Sequence, residues 1–271
     1  MTVVARPAAT VALLRDGALG LEVLMMVRPM AAEFAPRALV FPGGRIDDQD
    51  SEPAWNEVFA LDDQGRAVID GDGQKEAPGG EEGPSPLAFR LGAIREMFEE
   101  TAMLIGSRVP PDPEWAESAR SRVHGAGESF ISVVRAAGLR VRPSDLVYFA
   151  RWVTPEGQPK RYDTRFYAAA IPDGQVPSAA PGEVESVTWI APQEALANAE
   201  NADAYVLPPT RAVLQSLARF ADVNTALPGL HDSRDLTAIL PRIVVGGGEL
   251  GPAIRVVLPG EPGYEGLAPA D

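Results

Sequence analysis

One short stretch near the middle of the chain, Arg95-Glu96-Met97-Phe98-Glu99-Glu100, constrains the fold most strongly. Glu96, Glu99 and Glu100 lie on one face if the stretch is helical, because residues three and four positions apart are neighbours on a helix. Apolar residues recur at helical spacing on the opposite face: Leu87, Leu91, Ile94 and Phe98. The pattern predicts a helix over residues 87–105 that packs its apolar face on a core.

The acidic face of this helix has two interpretations, a solvated surface or one half of a metal site. Like charges at these spacings each cost a few tenths of a kcal/mol in an isolated helix. Arg95 stands four residues before Glu99 and can hold that carboxylate in place. Because carboxylate oxygens suit hard divalent cations, and because the other face packs on a core, we favour the metal site.

Together with an upstream Phe41-Pro42-Gly43-Gly44 turn, the helix resembles the signature of the Nudix hydrolases. That signature runs Gly, five residues, Glu, seven residues, then Arg-Glu-apolar-any-Glu-Glu-any-Gly-apolar. Here the match begins at Gly44 and resumes at Arg95, with Asp50 in place of the first Glu and Ala102 in place of the later Gly. Residues 51–94 replace the usual seven, which makes an insertion of 37 residues.

A long insertion at this place is similar to the Nudix branch that contains the peroxisomal coenzyme A diphosphatases. Further segments resemble the same branch: residues 28–44, 151–167, 207–211 and 258–264. The resemblance implies an α/β fold, an α/β/α sandwich around a mixed sheet, with the insertion and additional helices. We expect a single Nudix domain over residues 1–271 that contains the insertion at about 51–86.

The same resemblance implies a function. It predicts a metal-dependent hydrolase of a nucleoside diphosphate linked to another group, with Mg²⁺ or Mn²⁺ as cofactor. The favoured substrate is coenzyme A or acyl-coenzyme A, which would give 3',5'-ADP and (acyl-)phosphopantetheine. ADP-ribose, NADH or another nucleotide are alternative substrates of the same chemistry. A non-catalytic nucleotide-binding sensor is the alternative of a different class.

Candidate metal ligands follow from the signature. Glu96 and Glu100 are the principal ones, and Glu99 either shares a second ion or holds Arg95. The backbone carbonyl of Gly43 or Gly44 is expected to approach the same ion, because glycine permits close approach, and we assign Gly44 to the metal site. We also assign Glu99, Glu100 and Arg95 to the catalytic group.

The general base and the phosphate-binding cations are harder to place. Glu183 precedes a predicted strand, at a position that often supplies a catalytic carboxylate in related enzymes. A solvated loop acid is the equal alternative. Arg28, Arg45, Arg161 and Arg165 lie in or beside the resemblance segments, so we predict that they bind the diphosphate or a 3'-phosphate of the substrate.

Composition excludes several other classes of protein. Without cysteine the chain has no disulfide, thiolate metal site or cysteine nucleophile. Two histidines, His124 and His231, make a multi-histidine zinc site or a Ser-His-Asp centre untenable, and we assign them no role. The net charge of -14 argues against a nucleic-acid binder. We expect a cytoplasmic protein without membrane contact, and a homodimer by resemblance.

Periodicity predicts a mixed order of strands and helices. Further strands are predicted at 8–14, 21–28, 146–153, 165–171 and 184–190, and further helices at 114–123, 128–137, 192–199 and 208–220. Residues 71–86, rich in glycine and proline, predict a flexible segment. A C-terminal hairpin is predicted from strands at 242–245 and 254–258, with Gly246-Gly247-Gly248 as its turn.

Overall fold

The computed structural model describes residues 3–32, 35–68, 83–201, 204–248 and 251–265. Most of the predicted flexible segment, 71–82, lies outside the described residues. The strands are β1 (Arg6–Gly17), β2 (Gly20–Val27), β3 (Ala38–Val40), β4 (Gly43–Arg45), β5 (Val147–Val153), β6 (Tyr162–Ala170), β7 (Ser186–Ile190), β8 (Tyr205–Val206), β9 (Arg242–Gly248) and β10 (Gly251–Val257). The α-helices are α1 (Pro86–Thr101), α2 (Pro113–Ala126), α3 (Phe130–Ala136), α4 (Pro192–Glu200), α5 (Pro208–Leu217) and α6 (Val223–Asp232).

A mixed sheet forms the centre of the molecule. In the described part of the chain its strands run β5-β6-β1-β2-β3-β8, while β4 pairs with β1 and β7 with β2. The pairs β1–β6 and β3–β8 are parallel, and β1–β2 is the antiparallel pair predicted around Asp16-Gly17. The predicted mixed sheet is confirmed.

Helices cover both faces of this sheet, and neighbouring residues of β1 pack into the two different helical layers. Ala9, Val11 and Leu13 point into one core with α1, α2 and α3. Ala12 and Leu14 point into a second core with α5 and α6. Because successive side chains of a strand alternate between faces, a strand buried on both sides must be apolar at both parities. This is the α/β/α sandwich that the resemblance implies.

The first part of the insertion packs into the helical layer. Trp55, Val58 and Phe59 are buried, and the Trp55 ring lies 5.8 Å from that of Phe130 in α3. Two short 3₁₀ helices, Asp48–Ser51 and Pro53–Glu57, carry this segment. Trp55, Val58 and Phe59 therefore anchor residues 51–59 on the core, whereas the single domain over 1–271 remains a prediction.

Helix α1 begins and ends on identifiable signals. The Ser85 side chain accepts a hydrogen bond from the backbone N–H of Ala88 at 3.1 Å, and Pro86 occupies the first turn. Ala102 then adopts the left-handed conformation (φ 59°) and ends the helix at Thr101. Our predicted extension to residue 105 is wrong, because Ala102 turns the chain at the position where the family signature has glycine.

The C-terminal hairpin is confirmed, but its predicted turn is wrong. Gly246-Gly247-Gly248 belong to β9 and pair with Ala253, Pro252 and Gly251 of β10. Residues 249–250, between the two strands, lie outside the described residues. Helix α6 was not predicted at all, and the predicted helix over 208–220 ends at Leu217 as α5. Among the described helices, none is long and apolar enough to cross a bilayer.

Candidate active site

Helix α1 and the glycine turn meet at one hydrogen bond. The backbone N–H of Gly43 donates to Oε2 of Glu100 at 2.7 Å, although the two residues are 57 positions apart. Because β4 pairs with β1 through Thr10 and Gly43, the turn is fixed to the centre of the sheet. The two halves of the sequence signature therefore form one site despite the insertion.

Both glycines of the turn are required by close contacts. A Cβ atom on Gly44 would lie 2.5 Å from the Glu96 carboxylate, so that carboxylate packs directly on the turn. A Cβ atom on Gly43 would lie 2.3 Å from the backbone oxygen of Ala9, and Gly43 has a φ of 150°. The Gly43 contact involves backbone, whereas the Gly44 contact involves the end of a side chain that can move.

Arg95 holds the acidic cluster together from beneath. Its side chain is 2% exposed and donates to Asp50 through two 2.9 Å hydrogen bonds. Nη1 bridges Glu96 at 3.0 Å and Glu99 at 2.9 Å, which confirms the predicted i,i+4 pair. Nη2 also donates to the backbone oxygen of Arg45 at 2.9 Å. Asp50, fully buried, thus binds the arginine even though it is shorter than the family's glutamate.

Burial dominates the protonation of the three glutamates. It raises the pKa of Glu96 to about 7, against an opposing effect of Arg95. Burial likewise raises the pKa of Glu99, and it raises that of Glu100 well above its usual range, where the charge of Glu96 adds to the shift. The Gly43 N–H and the charge of Arg28 favour the ionised form of Glu100. Ionised, these side chains form a concentrated negative site that attracts a cation.

By the chemistry of its donors this cluster fits a hard divalent cation, since it offers three partly buried carboxylates beside a glycine turn. In the part of the chain that the structure describes, however, no group of three or more His, Cys, Asp or Glu side chains converges around a point where a metal could be held. Glu96 and Glu99 are held by Arg95, and Glu100 by Gly43. The metal ligands Glu96, Glu99, Glu100 and Gly44 therefore stay predictions.

A stability measurement without metal tests the burial of Glu96. The folded-state pKa of about 7 lies above the ordinary value of 4.5, so folding favours the protonated form. Its contribution to stability is full below pH 4.5 and is lost as the pH rises through about 7. In EDTA we expect the Tm to fall by several degrees between pH 5.5 and pH 8. Glu96→Gln should flatten this dependence; an unchanged slope in that variant would contradict the assignment.

Glu183 lies beside His124 of α2. The charge of Glu183 adds to the raised pKa of Glu100, behind burial and the charge of Glu96. The Nε2 atom of His124 in α2 is 3.1 Å from the backbone oxygen of Glu99 and 3.6 Å from Oε2 of Glu183, so this histidine contacts both α1 and Glu183. Sequence reasoning assigned His124 no role, and only the packing of α2 on α1 reveals its position.

The loop that carries Glu183 is fixed to α1 and α2. The backbone N–H of Ser178 donates to the backbone oxygen of Thr101 at 2.9 Å, and the backbone N–H of Ala180 donates to the backbone oxygen of Glu100 at 3.1 Å. Arg120 of α2, itself buried, donates to the backbone oxygen of Ser178 at 2.8 Å. The exposed Glu183 is therefore presented to the acidic cluster by an ordered loop.

A cleft of about 350 Å³ opens from the acidic cluster. Gly43, Glu100 and Arg28 are among the residues that line it, and the charge of Arg28 acts on Glu100. The rest is largely apolar and includes Trp152, Phe166, Leu207, Pro208, Pro209 and Ile243. Three of the four branch-resemblance segments thus line one cleft. The fourth segment, 258–264, supports the wall of the cleft. The guanidinium of Arg242, next to the lining residue Ile243, lies 4.3 Å from the centre of the Tyr264 ring.

The four predicted arginines are separated by the fold. Arg28 lines the cleft beside Glu100. Arg45 is exposed and lines a neighbouring depression. Arg161 also lines that depression, but its guanidinium donates to the backbone oxygens of Val3 and Thr154. Only Arg28 therefore lies where the cleft meets the acidic cluster.

Arg165 lies away from the cleft, contrary to the prediction that it binds the substrate. It is 1% exposed, and its guanidinium lies 3.8 Å from the centre of the Phe89 ring in α1. Along β6 it points opposite to Thr164 and Phe166, which line the cleft. An arginine in this position supports the packing of α1 on the sheet and cannot reach a ligand in the cleft.

Replacing Gly44 with alanine tests the contact between the turn and Glu96. The added methyl group must displace the Glu96 carboxylate, which is at the end of a flexible side chain. We expect the fold to survive, with a Tm within a few degrees of wild type, while hydrolysis falls by roughly 10²-fold because a carboxylate is misplaced. Gly17→Ala is the matched control, since it also meets a glutamate side chain, Glu22, outside the cluster. Equal activity loss in both variants would contradict the role of Glu96.

Comparison with protein-family models gives a match to the NUDT19 Nudix domain over residues 2–217. The chain belongs to the NUDT19 Nudix domain family. The matched residues include the glycine turn, the insertion, helix α1 and the first three cleft-lining segments. Both parts of the Nudix signature therefore lie within the match, and the fold joins them through the hydrogen bond between Gly43 and Glu100.

Relatives of known name agree with this assignment. The chain is 28% identical over 236 residues to acyl-coenzyme A diphosphatase NUDT19 of Xenopus laevis, covering 75% of this chain and 61% of that protein. It is 27% identical to the human protein of the same name, covering 76% and 62%. The chain thus spans somewhat under two thirds of the length of these relatives.

A solved structure supports the fold. The Nudix hydrolase from Alicyclobacillus acidocaldarius is 26% identical and superposes with a TM-score of 0.65, covering 83% of this chain and 96% of that one. The Nudix fold is therefore confirmed for the described part of the chain.

Proposed function

We propose that this protein is a divalent-metal-dependent diphosphatase of coenzyme A or acyl-coenzyme A. The products are 3',5'-ADP and phosphopantetheine or its acyl derivative. The observation that carries the proposal is the meeting of the Arg95-clamped acidic helix with the glycine turn, where Gly43 and Glu100 line a largely apolar cleft. The names of the NUDT19 relatives support the choice of substrate.

Mg²⁺ or Mn²⁺ is the proposed cofactor, and Glu96, Glu99, Glu100 and the carbonyl of Gly44 are its proposed ligands. When bound, the cation neutralises the diphosphate oxygens and makes a bound water more acidic. Arg95 keeps Glu96 and Glu99 on the same side of α1, and Gly43 keeps Glu100 against the turn. Preorganisation of the carboxylates by these hydrogen bonds is the protein's own contribution to the rate.

In the proposed reaction a water adds to one phosphorus while the bridging P–O bond breaks. The water's proton passes to a carboxylate, and the bridging oxygen leaves with the other phosphate. Glu183 is the proposed base because backbone hydrogen bonds tie its loop to Glu100 and Thr101 at the end of α1. Arg28, which lines the cleft with Glu100, is proposed to bind the diphosphate oxygens.

The apolar part of the cleft suits the parts of the substrate other than the diphosphate. Trp152, Phe166, Pro208 and Pro209 offer rings and flat apolar surface to a base or an acyl-pantetheine arm. ADP-ribose and NADH, the alternative substrates, carry no such arm. Preference for an acylated substrate over these is therefore a direct consequence of the proposal.

Product analysis by mass spectrometry tests the function. The protein is incubated with Mg²⁺ or Mn²⁺, or with EDTA, and with coenzyme A, acyl-coenzyme A species, NADH, ADP-ribose and nucleoside triphosphates. We expect 3',5'-ADP and a phosphopantetheine only with metal. Cleavage of another compound instead would keep the chemistry and change the substrate, whereas nucleotide binding without any cleavage would favour the sensor. The cytoplasmic location and the homodimer remain predictions from the sequence.

A further inference from the structure

A basic depression lies beside the cleft. It measures about 400 Å³ and is lined by four cationic residues, Arg6, Arg45, Lys160 and Arg161, and by no acidic residue. The chain as a whole has 24 basic and 38 acidic residues, so a concave surface of one positive sign stands out against its average charge. Like charges held close together repel one another, and a bound anion removes that repulsion.

The pairing of three strands brings these cations to one face. Arg6 of β1 pairs with Tyr162 of β6, and Ala8 of β1 pairs with Arg45 of β4. Paired residues share a face, as do residues two apart on a strand, so Arg6 and Arg45 lie on the same face as Thr10. Thr10 lines the cleft. The basic depression is therefore the continuation of the cleft along the same face of the sheet.

The four cations have different local roles. Arg161 is buried and donates to the backbone oxygens of Val3 at 2.7 Å and Thr154 at 3.0 Å, so it builds the wall of the depression. Arg6 and Arg45 are exposed. Within the described ranges of the chain, the structure gives neither of these two side chains an ion pair or a hydrogen bond. Their guanidinium groups are the donors that a ligand can reach.

The spacing between the depression and the acidic cluster suits one ligand with two phosphate groups. Gly43 contacts Glu100, and Arg45 follows two residues later on β4, which is about 7 Å along a strand. Lys160 and Tyr162 line both the cleft and the depression, so the two spaces join. A guanidinium fork matches a terminal phosphate well, because it donates two parallel hydrogen bonds.

We propose that the basic depression binds a phosphomonoester of the substrate and selects 3'-phosphorylated nucleotides over those without that group. The inference rests on the proposed function at one point: coenzyme A, the proposed substrate, carries such a phosphate. Arg6 and Arg45 are the residues that determine the selection. The depression thereby separates coenzyme A from its 3'-dephospho form, and from ADP-ribose and NADH.

Calorimetric titration of the full chain tests the inference without hydrolysis. Wild type is expected to bind 3',5'-ADP at least about tenfold more tightly than 5'-AMP. In the Arg6→Gln/Arg45→Gln variant, the affinity for 3',5'-ADP should fall about tenfold or more, while that for 5'-AMP changes less than about twofold. Arg66→Gln is the control, because Arg66 pairs with Asp62 in a surface turn, and it should change neither affinity.

Several outcomes overturn the inference. Equal wild-type affinities for the two nucleotides would do so, as would an equal loss for both in the double variant, which would indicate only general attraction. A site that takes inorganic phosphate but shows no preference for 3',5'-ADP would bind free phosphate instead of the substrate's phosphate. If the glutamine variant fails to fold, Arg6→Lys/Arg45→Lys decides: it keeps the charges but loses the forks, and an unchanged preference would refute the proposal.

Hydrolysis separates this inference from the proposed function. The ratio of kcat/KM for coenzyme A to that for 3'-dephospho-coenzyme A should fall about tenfold or more in the double glutamine variant. If wild type cleaves neither compound, the proposed function is refuted. The binding preference for 3',5'-ADP is then still tested independently by calorimetry. Cleavage of both at equal rates would support the function and refute the selection.

Discussion

Replacing Glu100 with glutamine is expected to lower hydrolysis by about 10³-fold and to leave the fold intact. The glutamine Oε1 can still accept the hydrogen bond from the N–H of Gly43. Because burial raises the pKa of Glu100 well above its usual range, a neutral side chain should keep or raise the Tm in EDTA. Steady-state kinetics with coenzyme A and thermal unfolding with and without Mg²⁺ provide the two measurements.

This substitution also separates an enzyme from a sensor. In an enzyme, the variant loses both hydrolysis and the stabilisation by Mg²⁺, while it can retain the nucleotide. A sensor shows no hydrolysis in the wild type, and its affinity for nucleotide is the same in the variant. Glu114→Gln, at an exposed position in the first turn of α2, is the matched control and should behave as wild type. A Glu100→Gln variant with more than a tenth of wild-type activity would contradict the role of Glu100.

Replacing Arg95 with methionine is expected to lower the free energy of unfolding by about 3–5 kcal/mol. Arg95 is the shared donor for Asp50, Glu96 and Glu99, and Asp50 is fully buried. Without the guanidinium, a buried carboxylate has lost its partner and the two glutamates repel one another. Urea unfolding at pH 8 measures the effect, and activity should fall with it because the carboxylates lose their common support.

A double variant identifies the cause of this loss. Asp50→Asn removes the buried charge yet can still accept the hydrogen bond from the N–H of Asp47. Arg95→Met/Asp50→Asn should therefore be more stable than Arg95→Met, and the non-additivity measures the coupling of the pair. Arg95→Lys keeps a charge but cannot span all three carboxylates, so an intermediate stability is expected. Loss of less than 1 kcal/mol in Arg95→Met would show that the cluster does not depend on this arginine.

The acidic helix could be predicted from the sequence because its signals are local. Helical spacing assigns Glu96, Glu99 and Glu100 to one face and Leu91, Ile94 and Phe98 to the other. The end of the helix was missed because Ala102 adopts a left-handed conformation that alanine adopts rarely. Apolar runs at 8–14 and 21–28 likewise predicted β1 and β2, because short apolar runs on either side of a turn signal such as Asp16-Gly17 are typical of paired, buried strands.

Roles that depend on contacts between distant segments could not be predicted. Arg28 and Arg165 are both arginines beside resemblance segments, yet one lines the cleft and the other stacks under Phe89. His124 appeared to be an isolated residue until α2 placed it beside Glu99. The basic depression requires three strands in register, and no local pattern in the sequence encodes that register.

The sequence by itself determined the family signature, the carboxylates available to it and the elements that carry them, because spacing along a helix or strand fixes which side chains share a face. Only the tertiary structure decided that Asp50 binds Arg95 across 45 positions of sequence, and that Arg6 and Arg45 line one depression. The reason is physical: hydrogen bonds act over about 3 Å and screened charges over about 10 Å, and only the folded chain determines which distant residues come that close.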